Sequence, residues 1–287
     1  MQDWQGIEFA KMHGNGNDFV VFDEFEREVV PESEKREFVK AVCDRRFGVG
    51  GDGAIFIQRS EVADVRFRYF NSDGSEAEMC GNGIRCFARL AFERGYVGEK
   101  FRAETLAGIK ELEVAGDTVK VDMGVVRFAP DEIPAVGEME GSVWCAEIDG
   151  WRVYAANSGV PHAVVFLECE ELERLDISVA RKIRYSDLFP EGANVNFACL
   201  DGDVIRVRTY ERGVEGETLS CGTGSVSVAA IAYMLGMTGN RVRVLTRGGE
   251  LLIELQRDKG GLRAYMTGRA VKVFEGRLLE LSKPENV

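Results

Sequence analysis

Apolar positions along the chain fall into short runs with two different periods. "FVVFD" at 19–23, "AIFIQ" at 54–58 and "AVVFLE" at 163–168 are brief and β-branched or aromatic, and "DVRFRYF" at 64–70 alternates. All read as strands. "ESEKREFVKAVCDRR" at 32–46 and "LDISVARKIRYSD" at 175–187 carry helical spacing. Two further helices are predicted where a Gly-rich turn runs into an apolar stretch. The first recurs as Ile84, Phe87, Ala88, Leu90 and Ala91; the second, "SVSVAAIAYML", is apolar almost all round. A helix apolar on every side belongs inside a core.

The pattern repeats. Both of these helices follow Cys-Gly-x-Gly, with Cys80 and Cys221 lying 141 positions apart. "RFRYFN" from Arg66 matches "RVRTYE" from Arg206, "FGVGGDGAIFI" from Phe47 matches "FPEGANVNFAC" from Phe189, and "NDFVVF" from Asn17 matches "PHAVVF" from Pro161. "AGIKELEVAGDTVKVDMG" and "GGELLIELQRDKGGLRAYMTG" extend the match past the helices. The order is kept and the offset is nearly constant, so the chain reads as two copies of one unit of ordinary domain size. The expected division is 1–126 and 127–269, with a linker near "MGVVRFAPDEIP" at 123–134. The tail is expected to return to the first unit as a strand within 270–287. The predicted fold class is α+β, with two pseudo-symmetric domains, each a mixed and largely antiparallel sheet curled around a central helix.

Composition narrows the partners. A formal net charge of −12 disfavours a nucleic-acid partner, because phosphate backbones attract basic surfaces. The start "MQDWQGIEFA" lacks the basic and apolar regions of a signal peptide, and no apolar run reaches the roughly 18 residues of a membrane span. The expectation is a cytoplasmic protein without a membrane partner. Its seven cysteines, 43, 80, 86, 145, 169, 199 and 221, contain no Cys-x-x-Cys. In a reducing compartment they are expected as free thiols, mostly as small buried hydrophobes, with Cys86 in the core. "GVGGDG" at 48–53 matches Gly-x-Gly-x-x-Gly, but it precedes a strand instead of opening a helix, so it reads as a binding loop. The acidic run "ECEELERLD" at 168–176 reads as a solvated surface stretch.

Cys80 and Cys221 carry the chemistry. A helix start presents N–H groups without intrahelical acceptors and a partial positive charge. A thiol there can fall from about 8.5 into the 3.5–7.5 range, and the same N–H groups can hold an anion. Two such units would bring one sulfur to each face of a bound α-carbon, a geometry for stereoinversion without pyridoxal or metal. The helix starts would stabilise the enolate-like charge. A thiol-redox protein and a phosphate-binding module remain as alternatives on the residues alone.

"KMHGNGNDFVVFD", "FNSDGSEAEMCGNGIRCFAR", "GVPHAVVF", "GANVNFA", "YERGVEGETLSCGTGS" and "YMTGRA" together resemble the diaminopimelate epimerase family over nearly the whole chain. The resemblance implies interconversion of LL- and meso-diaminopimelate without cofactor or metal, with Cys80 and Cys221 as the acid/base pair. It implies that Gly81, Asn82, Gly222 and Thr223 cradle the reacting carboxylate, and that Asn17, Asn71, Asn194, Glu211 and Arg212 bind the rest of the substrate. Arg212 would grip the remote carboxylate. His162, with Glu211, would orient or polarise a thiol, whereas His13 belongs to the N-terminal turn. A homodimer is the expected assembly. Two positions depart from the family pattern: Val160 stands where Asn often precedes Pro-His, and Gly53 where Gln often follows the loop Asp. A racemase for proline-like substrates is the same-fold alternative.

Overall fold

The computed structural model describes residues 4–258 and 261–281. The chain forms two compact units, Met1–Val121 with Gly268–Val287, and Asp122–Thr267. The first contains β1 (Glu8–Gly14), β2 (Asn17–Glu24), α1 (Lys35–Cys43), β3 (Gly53–Gln58), β4 (Val65–Asn71), β5 (Glu76–Ala77), α2 (Gly81–Glu93), β6 (Lys100–Thr105), β7 (Gly108–Ala115) and the start of β8 (Thr118–Val126). The second contains β9 (Met139–Glu140), β10 (Val143–Ile148), β11 (Trp151–Asn157), β12 (Pro161–Phe166), α3 (Cys169–Arg174), α4 (Ala180–Arg184), β13 (Asn194–Asp201), β14 (Val204–Glu211), β15 (Gly216–Thr218), α5 (Gly222–Met234), β16 (Arg241–Thr246), β17 (Gly249–Asp258) and most of β18 (Gly261–Arg269).

The strand pairings repeat as the motifs do. In the first unit β1–β2 is antiparallel, β2–β3 parallel, β3–β4 antiparallel, β4–β6 parallel and β6–β7 antiparallel. In the second, β11–β12, β12–β13, β13–β14, β14–β16 and β16–β17 follow the same sequence of directions. One position differs in origin. β11 is flanked by β10, the strand before it in the chain. β1 is flanked instead by the C-terminal strand Val271–Arg277, antiparallel, with Glu8 opposite Arg277. Of the tail expected to return to this unit, residues 282–287 lie outside the described residues.

The central strands of each unit are buried on both faces, which is why they read as continuous apolar runs. In the first unit Val20, Phe22, Ala54, Phe56 and Phe70 pack with Phe38 and Val39 of α1. The alternate residues point to α2, and Phe19 and Ile55 lie against Gly83. In the second unit Ala163, Val165, Val195, Phe197 and Cys199 pack toward Leu172 of α3 and Ala180 and Ile183 of α4. Their neighbours along β12 and β13 face the other way, and α5 packs on both strands. The alternation therefore delivers His162, Asn194 and Asn196, all buried, to the α5 face.

Four local readings change. The stretch 123–134 is not all linker, because Val119, Val121, Met123 and Val126 are buried and carry β8 as far as Val126. The helix expected over 175–187 shrinks to a 3₁₀ turn, Ile177–Val179, and the single turn of α4, since only Ala180 and Ile183 reach the core there. The acidic run keeps its glutamates exposed but folds as α3, closed by a capping box of Glu168 and Glu171, with Leu172 buried. Finally, Cys169 and Cys199 are not free thiols. They form a disulfide with Cα atoms 5.2 Å apart. Cys169 opens α3, and α3 packs on β13, which carries Cys199, so the pairing is set by tertiary packing and leaves no spacing motif.

Candidate active site

Both predicted helix starts are found, and both cysteines are N-caps. Cys80 has extended backbone and its sulfur accepts from Gly83 N–H at 3.4 Å. Cys221 is likewise extended, and its sulfur accepts from Gly224 N–H at 3.4 Å. The thiols thus take the place usually held by Ser, Thr, Asp or Asn. Gly81 and Asn82 fill the first two positions of α2, and Gly222 and Thr223 those of α5, where backbone N–H groups have no acceptor within the helix. Cys43 and Cys86 are buried in the first unit. Burial pushes Cys43 and Cys86 up to about 12, as befits packing residues.

Around Cys80 the network ends on a carboxylate. The Cys80 thiol donates to Asn17 Oδ1 at 3.7 Å, and Asn82 Nδ2 donates to the same oxygen at 3.3 Å. Asn17 Nδ2 donates to Asp52 Oδ2 at 2.6 Å. Asp52 is held in turn by Arg45 at 2.7 Å, and Arg45 also grips Asp18. The "GVGGDG" loop therefore supplies a carboxylate that orients Asn17. Asn71 is the last residue of β4, and its side chain donates to Ser75 Oγ at 3.1 Å. His13 lies on β1 opposite Asp18 of β2, not in the turn itself, and its Nδ1 accepts from Gly16 N–H at 3.4 Å.

Arg85, unremarked in the sequence, lies fully buried one turn into α2. Its guanidinium donates to Gly81 O at 3.0 Å, Asn15 Oδ1 at 2.8 Å, Asn82 Oδ1 at 3.0 Å and Arg269 O at 3.4 Å. Burial lowers its pKa to about 10. It braces the Gly-Asn-Gly-Asn turn against the helix start. A charge inside the apolar run "GIRCFARL" is the signal that could have found it.

Around Cys221 the network is longer. Thr223 Oγ1 lies 3.4 Å from Cys221 Sγ, and His162 Nε2 lies 2.9 Å from Thr223 Oγ1. Asn196 Nδ2 lies 3.1 Å from His162 Nδ1 and donates to Ala163 O at 3.0 Å. Thr209 Oγ1 donates to Asn196 Oδ1 at 3.0 Å. Burial, with Arg212 adding to it, lowers His162 to about 3, so its ring is neutral at physiological pH. Asn194 Oδ1 accepts from Arg212 N–H at 2.7 Å, and Arg212 Nη1 donates to the carbonyls of Glu191 at 2.9 Å and Gly192 at 3.3 Å. Glu211 ends β14, half-buried, just before Arg212. Asn196 and Thr209 were missed. Asn194 and Asn196, two apart on an apolar strand, share one face, and that spacing was a usable signal.

The departure at Gly53 has a local cause. A Cβ there would lie 2.4 Å from Phe70 O and 2.6 Å from the Tyr69 ring. Val160 follows Gly159, whose N–H donates to Asn157 Oδ1 at 2.9 Å in the turn between β11 and β12.

The diaminopimelate epimerase family model matches the chain twice, over residues 9–129 and 154–273. The chain belongs to the diaminopimelate epimerase family. It is 62% identical over 284 residues to the diaminopimelate epimerase of Archaeoglobus fulgidus, covering 96% of this chain and 98% of that one. It is 53% identical over 277 residues to that of Methanothrix thermoacetophila, covering 94% and 95%. Among solved structures, a phenazine biosynthesis protein of the PhzF family from Bacillus anthracis superposes with a TM-score of 0.73 at 20% identity, covering 96% of this chain and 100% of that one. A hydroxyproline epimerase from Agrobacterium vitis gives 0.68 at 17%, covering 98% and 95%. These distant neighbours share the fold. Membership of the diaminopimelate epimerase family makes the chain an isomerase, with the α+β architecture of paired sheet-and-helix units that the repeat predicted. Among the described residues no helix is long and apolar enough to cross a membrane.

Proposed function

We propose that this protein interconverts LL- and meso-diaminopimelate, without a cofactor, using Cys80 and Cys221 as acid and base. The observation that carries the reading is the duplicated N-cap thiol: each family-matched segment presents one sulfur at the start of its buried helix. One thiolate removes the α-proton and the other thiol protonates the opposite face. An amino-acid α-proton is weakly acidic, so the carbanion must be stabilised as it forms. The helix-start N–H groups of Gly81, Asn82, Gly222 and Thr223 supply fixed donors for its carboxylate. Asn17, Asn71, Asn194, Glu211 and Arg212 bind the distal amino-acid group. A site built from such groups rejects amino acids lacking it, because its own polar atoms would then be buried unpaired.

The test is to incubate LL-diaminopimelate with the enzyme in heavy water and follow both exchange at the α-carbon and the change of configuration. Wild type is expected to do both. Cys80→Ala and Cys221→Ala are expected to lose inversion by roughly 10²- to 10⁴-fold or more. Undiminished inversion by either variant rules out the two-thiol reaction, and turnover of proline in place of diaminopimelate rules out the substrate.

A further inference from the structure

We propose that Glu215 is a positioning residue for substrate recognition: its carboxylate gathers the turn that carries Arg212 and ties it, through Arg184, to the carbonyls on which the Arg212 guanidinium rests. The proposal rests on the reading above that Arg212 binds the distal group of the substrate, and it adds what holds that side chain in place.

The two copies of the repeat single out this turn. Glu76 pairs with Phe70 in the β4–β5 hairpin, and Glu217 pairs with Tyr210 in the β14–β15 hairpin. Each glutamate also takes a bidentate bond from an arginine on the longer strand, Arg68 in the first unit and Arg208 in the second. The hairpins are therefore equivalent, yet residues 71–75 close the first and residues 211–216 the second, which is one residue longer. The first closes tightly. Gly74, at φ +80°, donates its N–H to Asn71 O at 2.9 Å, and the Asp73 carboxylate accepts from Ser75 N–H at 2.8 Å. In the second, the Glu215 N–H reaches Glu211 O at 2.8 Å, and Glu215 itself adopts φ +54°. A glutamate in the left-handed region costs energy that surrounding contacts must offset, and such strain clusters at functional sites.

Those contacts converge on its side chain. Glu215 Oε1 accepts from Gly213 N–H at 3.1 Å and from Arg184 Nε and Nη2 at 3.3 and 3.0 Å. Glu215 Oε2 accepts from the Tyr210 hydroxyl at 3.4 Å. Arg184, the last residue of α4, is itself fixed. Its guanidinium lies 4.6 Å from the Tyr185 ring centroid and fills the space over Gly192, where a Cβ would fall 1.7 Å from Nη1. Glu191 O and Gly192 O are the carbonyls that accept from Arg212 Nη1, at 2.9 and 3.3 Å. Arg184 thus joins the two segments that Arg212 bridges: residues 191–192, which seat its guanidinium, and residues 213–215, which follow it in the chain. The Arg212 N–H, held by Asn194 Oδ1 at 2.7 Å, fixes the start of the turn.

The contribution of Glu215 is geometric. Its side chain is 34% exposed, so water and salt screen its attraction to Arg184, whose side chain is 13% exposed. The directed bonds from Gly213, Tyr210 and Arg184 survive that screening and set the shape of the turn. A loose arginine side chain samples many rotamers, and ordering it at the moment of binding lowers affinity. Seating it beforehand removes that cost. A distal group far from the reacting carbon is held equally in ground and transition states, so the expected signature is a higher KM with little change in kcat.

The experiment measures kcat and KM for inversion of LL-diaminopimelate by the full-length enzyme and its variants. Glu215→Ala should raise KM roughly tenfold, about the worth of one charge-assisted hydrogen bond, and leave kcat within about twofold of wild type. Glu215→Gln keeps an oxygen for the Gly213 N–H but loses the charge facing Arg184, and should raise KM by less. Arg184→Gln opens the same clamp from the other side. It should raise KM as Glu215→Ala does, and it carries the test if Glu215→Ala does not fold. Arg212→Ala should raise KM by more than either. Adding Glu215→Ala to Arg212→Ala should raise KM no further, because the side chain being positioned is gone. A glutamate with a merely structural role would add its full effect in both backgrounds. An unchanged KM in Glu215→Ala and Arg184→Gln, or the same tenfold rise on top of Arg212→Ala, overturns the proposal alone. A wild type inert toward diaminopimelate, or an Arg212→Ala enzyme with unchanged KM, overturns the underlying reading and the proposal together.

Discussion

A Cβ added to Gly224 would sit 2.4 Å from Asn196 Oδ1. The last glycine of Cys-Gly-Thr-Gly therefore makes room for the amide that holds His162, and its absence of a side chain is a packing requirement of the β13–α5 contact. Gly224→Ala must displace either Asn196 or the first turn of α5. The expected cost is about 1–3 kcal/mol of stability, the usual range for overpacking, measured by urea unfolding. Epimerase activity should fall with it, because the amide and the Cys221 cap share that turn.

His162 makes stability depend on pH in a window that can be named. Its folded pKa, about 3, is below its ordinary value near 6.5. Above pH 6.5 the ring is neutral in both states and contributes no pH dependence. As pH falls below 6.5 the unfolded chain binds a proton that the folded chain refuses, so stability is lost, with a limiting slope of about 1.4 kcal/mol per pH unit. Between pH 6.5 and 5, unfolding free energies of wild type should therefore decline more steeply than those of His162→Gln. Parallel curves would show that the buried ring does not resist protonation.

The Cys169–Cys199 disulfide closes a loop of 30 residues. By loop-closure entropy such a link is worth about 3.5 kcal/mol. Cys199→Ala should lower the melting temperature under non-reducing conditions, and dithiothreitol should lower that of wild type but not of the variant. Cys199 packs on the α3–α4 side of its sheet, whereas Asn194 and Asn196 of the same strand face α5, so turnover at moderate temperature should be unchanged.

Lys35 and Glu24 form a buried ion pair at 3.0 Å, each side chain only 1% exposed. Glu24 also accepts from the Val29 and Val30 amides and from Gln58, while Lys35 lies over the Phe56 ring. Lys35→Met strands the carboxylate and should cost about 3–5 kcal/mol. Lys35→Met with Glu24→Gln should recover part of that loss, and chemical denaturation of the three proteins measures it.

The repeat was legible because both copies must bury a helix inside a sheet, and that need writes the same apolar spacing twice. The N-cap position of both cysteines followed from Gly-rich turns meeting helical periodicity. What could not be read depends on contacts between segments far apart in the chain. The Cys169–Cys199 bond needs α3 docked on β13. Arg85 looks like an exposed charge until the Gly-Asn-Gly-Asn turn folds over it. Asn196 shares a face with Asn194, but its contact with His162 exists only once β12 pairs in parallel with β13. Even α3 was hidden, since an acidic run and a short helix with a single buried leucine have nearly the same composition.

The strand Val271–Arg277 lies antiparallel to β1, so the first unit's sheet joins two segments separated in sequence by the whole of Asp122–Thr267. A growing chain leaving the ribosome cannot complete that pairing until Val271–Arg277 has emerged, and Asp122–Thr267 is by then already contiguous and available. The half synthesised first is thus the half finished last, an inversion of the usual N-to-C order of assembly.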